Sequence, residues 1–159
     1  SIRKLLLHAE ESMSDRAEAL LMIASRAQLT KEKIIPSLRD GLCVIADRFK
    51  DSTLAYQSGG RGLDIDYLIS LNDFATNNLE PDLTILLDID AESSFQISKN
   101  EFDRIESAGL EFQNNVRKIY IELAEKFSDR FFTINARDSI PTIHSRIWEK
   151  TIKCLNEKI

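Results

Sequence analysis

The strongest constraint on this chain is the alternation of short, unbroken apolar runs with longer stretches of helical periodicity. "LCVIA" at 42–46, "PDLTILLDID" at 81–90 and "RFFTINA" at 130–136 are the short runs. Each is rich in β-branched or aromatic residues and lacks the polar alternation of a half-exposed strand. Such runs predict strands covered on both faces, which means a parallel sheet between helices. The intervening segments supply those helices. "SDRAEALLMIASRAQL" places Ala17, Leu20, Leu21, Ala24 and Gln28 at three- and four-residue spacing, with Asp15 and Glu18 in the first turn. "TKEKIIPSLRDG" predicts a helix bent near Pro36 and ended by Gly41. "DIDYLISLNDFATNN", "SAGLEFQNNVRKIYIELAEKFSD" and "SIPTIHSRIWEKTIKCLNEK" predict three more, the last capped by Ser139, with Trp148 in the core. The expectation is therefore an α/β fold with three parallel strands. Sheets of this class usually hold about five, and "SIRKLLLHAE" opens inside an amphipathic pattern with no cap before it. Both features predict further sheet segments upstream of Ser1.

At 159 residues and 43% hydrophobic composition, the chain is large enough for one domain with a real core. A net charge of −5 disfavours a bulk electrostatic grip on nucleic acid or on an anionic membrane. No run of about 18 apolar residues predicts a membrane-spanning helix. Cys43 and Cys154 are too few for a disulfide framework or a zinc site, which points to a reducing, cytoplasmic setting.

In open α/β sheets, ligands sit beyond the carboxyl ends of the strands. Asp47 and Arg48 directly follow "LCVIA". An arginine there makes either a bidentate contact to a phosphate or carboxylate, or a surface ion pair. Ser52, Thr53, Tyr56 and Gln57 follow, spaced to share one helical face, and their hydroxyls and amide can read the edge of a base or sugar. Arg26 lies beside an apolar helical stripe and either snorkels outward or points into a pocket. "KNEFDRIE", with Lys99, Arg104 and Glu106, is a charged lid over a phosphate or a solvated loop.

Together these segments resemble thymidylate kinase, the bacterial type, over essentially the whole chain. "EALLMIASRAQL" resembles that family's base-binding helix. "VIADRFKDSTLAYQSGGRG" resembles its most diagnostic segment, and "PDLTILLDID", "FDRIE" and "FQNNVRKIYIELA" continue in register. The resemblance implies a P-loop kinase-like, three-layer α/β/α fold: one nucleoside-monophosphate-kinase-like domain over 1–159, with a lid at about 95–106 and five strands in the complete protein. It implies roughly fifty further residues upstream, the size of a strand–loop–helix–strand unit carrying the phosphate-binding loop. Its first strand would lie between those formed by "LCVIA" and "DLTILLDI". No Gly-x-x-x-x-Gly-Lys-[Ser/Thr] pattern occurs in 1–159, so these residues alone are expected to be inactive.

The implied activity is phosphoryl transfer from ATP to dTMP, giving dTDP and ADP in dTTP biosynthesis, with Mg²⁺ as cofactor and a homodimer as the assembly. By resemblance, Arg48, Asp47 and Arg104 are catalytic, Asp47 through a magnesium-bound water. Arg26, Met22, Ser52, Thr53, Tyr56 and Gln57 bind dTMP, with Met22 where the family usually stacks a Phe on thymine. Lys99, Arg104 and Glu106 serve the lid and the ATP phosphates, and Ala136 and Arg137 lie near adenine. The competing readings are a kinase of the same fold with another nucleoside monophosphate substrate, and a non-catalytic nucleotide-binding relative.

Overall fold

The computed structural model describes residue 2 and residues 13–97 and 109–157. Its sheet has two parallel strands, β1 (Thr84–Asp88) and β2 (Phe131–Asn135), paired in register from Thr84 opposite Phe131 to Asp88 opposite Asn135. The α-helical segments whose bounds fall in the described residues are α1 (Asp15–Leu29), α2 (Ile35–Arg39), α3 (Lys50–Thr53), α4 (Ile65–Thr76), α5 (Ala91–Ile97), α6 (Leu110–Lys126) and α7 (Ile140–Asn156). Wider π-helical turns at Thr30–Ile34 and Leu54–Gly60 extend α1 and α3.

Local chemistry explains the helix boundaries. The side chains of Ser14, Asp64 and Ser139 each accept a backbone N–H at a helix start, from Ala17, Tyr67 and Thr142. Pro36 sits in the first turn of α2, where its missing N–H costs nothing. Gly41 follows α2 with φ 76°, and Asn77 ends α4 in the left-handed region.

The main core lies on one face of the sheet. Ala19 and Ile23 of α1, Leu54, Leu68 of α4, Leu123 of α6 and Phe131 of β2 form one buried cluster. Ala55, Phe112 and Val116 form a second, between the 50–60 helix and α6. These two helices approach so closely that a methyl at Gly59 would sit 2.5 Å from the Asn115 carbonyl oxygen. That contact explains glycine there. On the other face, the cations of Arg146 and Lys150 of α7 lie over the Phe132 ring, each at 5.7 Å.

A buried charge cluster ties the 50–60 helix to the sheet. The Arg130 guanidinium donates to both oxygens of Asp51 at 2.7 and 2.8 Å, and to the Thr84 hydroxyl at 2.8 Å. It lies 4.8 Å from the ring centroids of both Phe127 and Phe131. Burial alone would lower its pKa, but the hydrogen bond and charge of Asp51 outweigh that and raise it. Beside it, buried Lys50 pairs with Asp73 at 2.9 Å and with Glu80.

Two sequence expectations are corrected. "LCVIA" forms no strand: residues 42–46 are irregular, with Leu42 58% and Ile45 92% exposed. A strand exists through its neighbours' hydrogen bonds, and only β2 pairs with β1 among the described residues. Two strands are therefore present where the apolar runs predict three. Trp148, expected in the core, is 60% exposed on α7, a helix none of whose residues is fully buried.

Breaking the pair from the Asp51 side leaves the buried guanidinium with only one ion pair among the described residues, the longer contact from its Nε to Glu80, at 3.5 Å. Asp51→Ala is expected to cost about 3–5 kcal/mol in urea unfolding, and Asp51→Leu combined with Arg130→Met to recover most of it. Equal losses in the single and double variants would contradict the clamp.

Candidate functional site

The site is built where α1 faces the 50–60 helix, with α4 behind and α6 alongside. Arg26, in the last turn of α1, points inward. Its Nη1 donates to Asn72 Oδ1 of α4 at 2.7 Å, and its Nη2 to the Phe49 carbonyl at 3.1 Å. The guanidinium carbon lies 5.7 Å from the Phe49 ring centroid. Burial lowers its pKa to about 10, although the charges of Asp51 and Tyr120 act in the opposite direction. Its direct hydrogen-bond partners among the described residues are neutral oxygens, so its positive charge stays available to a ligand.

Met22 lies one turn before Arg26 and packs against the second cluster, as Tyr56 and Tyr120 do. Gln57 reaches it from the facing helix, with Nε2 3.6 Å from the Met22 sulfur and 2.8 Å from Glu18 Oε1. Glu18, 1% exposed, also accepts from Arg61 at 3.2 and 3.4 Å. That fixes the Gln57 amide with its oxygen free. Gln57 Oε1 and Thr53 Oγ1, one turn apart, are both buried without a hydrogen-bond partner. Each such atom costs about 1–3 kcal/mol unless something binds it.

Ser52 and Tyr56 face α6 instead. Tyr120 donates to the Ser52 hydroxyl at 2.7 Å, and Tyr56 meets Phe112 edge-on at 6.0 Å between centroids. The four polar residues predicted to share one face thus divide between two adjoining faces: Thr53 and Gln57 toward α1, Ser52 and Tyr56 toward α6. Arg48 stands exposed, with its guanidinium carbon 5.2 Å from the Tyr56 ring centroid. Its φ of 66° is left-handed, a conformation costing a non-glycine residue on the order of 1–3 kcal/mol. Asp47 beside it is exposed.

Because 42–46 is not a strand, Asp47 and Arg48 do not stand at a strand's carboxyl end. The carboxyl ends that exist hold a second charged group. Asp88 pairs in bidentate fashion with Arg117 of α6 at 2.7 and 2.9 Å, and that hydrogen bonding holds its carboxyl below the usual range. Arg137 pairs with Asp90 and Ser93, and the Ala136 N–H donates to the Asp88 carbonyl at 2.9 Å. Lys99, Arg104 and Glu106 lie outside the described residues, as does most of the 95–106 lid.

Asn72, Phe49, Tyr120 and Glu18 are the contributors that sequence reasoning missed. Two carried a signal. Asn72 interrupts the buried Leu68–Thr76 register of α4, and Glu18 interrupts the buried stripe of α1. A polar side chain at a core register has to be satisfied by something.

Comparison with known proteins gives one family. The family model described as thymidylate kinase matches residues 1–147. The chain is 39% identical to a thymidylate kinase of Kosmotoga olearia, over 98% of this chain and 76% of that protein. It is 46% identical to that of Bifidobacterium longum subsp. infantis, over 92% of this chain and 65% of that protein. It is 42% identical to that of Halothermothrix orenii, over 97% and 76%. The chain thus spans about two thirds to three quarters of these relatives.

Burial raises the Tyr120 phenol from 10.0 to about 12, more than the Ser52 bond lowers it. The folded state keeps that proton while the unfolded chain loses it. The resulting stability is complete below pH 10 and disappears as pH rises to about 12. Tyr120→Phe is expected to flatten that alkaline slope in urea unfolding between pH 10 and 12; an unchanged slope would contradict it.

Proposed function

The chain belongs to the thymidylate kinase family, and we propose the following residue roles in the transfer of a phosphoryl group from ATP to dTMP. A phosphate monoester has a second pKa near 6, so dTMP arrives as a dianion and needs no general base. What it needs is cancellation of the repulsion between phosphates, and in-line placement. Arg48 meets the acceptor phosphate, held toward it by its left-handed backbone and by the Tyr56 ring. The deoxyribose rests on Tyr56, whose ring leaves no room for a 2′-hydroxyl. The base enters between α1 and the 50–60 helix.

The observation that carries this reading is the inward Arg26 facing a helix with two buried, unpaired polar atoms. Arg26 donates to the O4 carbonyl of thymine, and Gln57 Oε1 accepts its N3–H. Thr53 assists from the same helix, and the Met22 thioether contacts the ring face. The Ser52 hydroxyl, held by Tyr120, supports the neighbouring wall.

The donor side follows from the family. Lys99, Arg104 and Glu106 serve the lid over the ATP phosphates, with Arg104 on the transferred group, and Ala136 and Arg137 border adenine. Magnesium carried on a triphosphate needs only one or two carboxylates, because phosphates and waters complete its shell. Exposed Asp47 beside Arg48 fits that requirement through a water, and the ion would supply charge cancellation on the donor. The exposed apolar run 42–46 and the side of β1 that no described residue pairs support a further strand between them, followed by the phosphate-binding loop; lacking that loop, residues 1–159 alone are expected to be inactive. No described helix is long and apolar enough to cross a membrane, and both cysteines are free, in keeping with a cytoplasmic enzyme. The homodimer reading rests on an exposed apolar stripe: Tyr67, Leu71 and Phe74 on α4, with Leu20 on α1.

Initial rates with dTMP, dUMP, dGMP and dCMP test the substrate; equal rates on all four would end the assignment. Arg48→Ala is expected to lower kcat/KM for dTMP by at least about tenfold, and wild-type kinetics would remove it from the site. Phe74→Glu is expected to shift sedimentation toward monomer; an unchanged dimer would place the interface elsewhere.

A further inference from the structure

We propose that Asn72 is the positioning residue for Arg26, and that through it α4 sets the preference for a 4-keto over a 4-amino pyrimidine. The inference rests on the reading above, in which Arg26 addresses the 4-position of the base.

The amide of Asn72 can take only one orientation. Its Nδ2 donates to the Leu68 carbonyl one turn back at 2.7 Å, which leaves Oδ1 as the acceptor for Arg26 at 2.7 Å. At 1% exposure, Asn72 is shielded from bulk solvent, and a leucine in its place fills the space while offering Arg26 no acceptor. The second anchor, the Phe49 carbonyl at 3.1 Å, takes the other terminal nitrogen. Two fixed points on a rigid planar fork determine where its remaining N–H groups aim. One anchor would leave the fork free to turn.

The chemistry of the anchor matters as much as its place. A carboxylate in direct contact would pair with the guanidinium and neutralise it. A neutral amide fixes the direction while leaving the charge for the ligand. An arginine offers only donors, so a well-aimed Arg26 donates to the O4 of thymine and finds no acceptor in the N4 amino group of cytosine. Asn72 therefore acts on selectivity without touching the base.

The test is the ratio of dissociation constants for dTMP and dCMP, measured by calorimetry on the full chain, with folding followed by circular dichroism. Asn72→Leu removes the acceptor and is expected to shrink the ratio about tenfold, mainly by weakening dTMP. Asn72→Ala, which leaves room in the core, is read in the same way should leucine not fold. Asn72→Asp loses the same bond to Leu68 but keeps an oxygen for Arg26; it is expected to restore the ratio, which depends on the aim of the fork, while weakening both nucleotides alike, because its carboxylate offsets the Arg26 charge. Adding Asn72→Leu to Arg26→Gln is expected to change the ratio no further. A collapse in Arg26→Gln with an intact ratio in Asn72→Leu and Asn72→Ala would overturn the role of Asn72 alone. Equal losses in the leucine and aspartate variants would assign Asn72 to packing and overturn it too. An intact ratio in Arg26→Gln would overturn the base-reading assignment, and this inference with it.

Discussion

The pairing of Asp51 with Arg130 decides where everything else in this site stands. Seventy-nine positions apart in sequence, they meet at the starting ends of both strands, with Thr84 as a third party. Asp51 lies in the first turn of the helix that carries Ser52, Thr53, Tyr56 and Gln57, so that helix's position relative to the sheet is set there. Two phenylalanine rings flank the guanidinium and keep water out. In that environment the pair has one workable geometry, because any displacement strands a buried charge. Farther along the same helix, glycine at 59 lets α6 approach at backbone distance, and the two constraints together leave the helix little freedom.

From this anchor the site follows in order. α6 presses Ser52 and Tyr56 from one side through Tyr120 and Phe112. α1 presses Gln57 from the other through Glu18. The face between retains two polar atoms that the protein does not satisfy, opposite an arginine whose own partners are uncharged. Stability is given up at the place where a ligand restores it. A site that reads a nucleotide base needs donors that are held in position without being spent on the protein, and Arg26, anchored by two neutral oxygens, meets that description.

Much of this fold was legible in the chain. Ser14, Asp64 and Ser139 announce helix starts through short-range hydrogen bonds, and Gly41 marks a stop for an equally local reason. The runs at 84–88 and 131–135 read as strands because their composition suits burial on two faces, and they found each other as neighbours. The run at 42–46 has the same composition and forms no strand, since pairing depends on a partner and not on the run itself. The site was legible as a set of residues but not as an arrangement. Nothing local distinguishes an inward Arg26 from a snorkelling one, because the deciding oxygens, on Phe49 and Asn72, come from distant turns. The split of Ser52 and Tyr56 from Thr53 and Gln57 was equally hidden, since the wider π-helical turn and the two flanking helices set those directions. Asp51 and Arg130 read as ordinary surface charges until the fold brings them together.

The central claim is that a pyrimidine nucleotide lies between α1 and the helix clamped by Asp51. A crystal structure of the full chain with dTMP tests it most directly. The account predicts the phosphate in contact with Arg48, the 4-keto oxygen within hydrogen-bonding distance of Arg26, and Gln57 Oε1 no longer alone. A nucleotide seated elsewhere, with Arg26 still bound only to Asn72 and the Phe49 carbonyl, would contradict it.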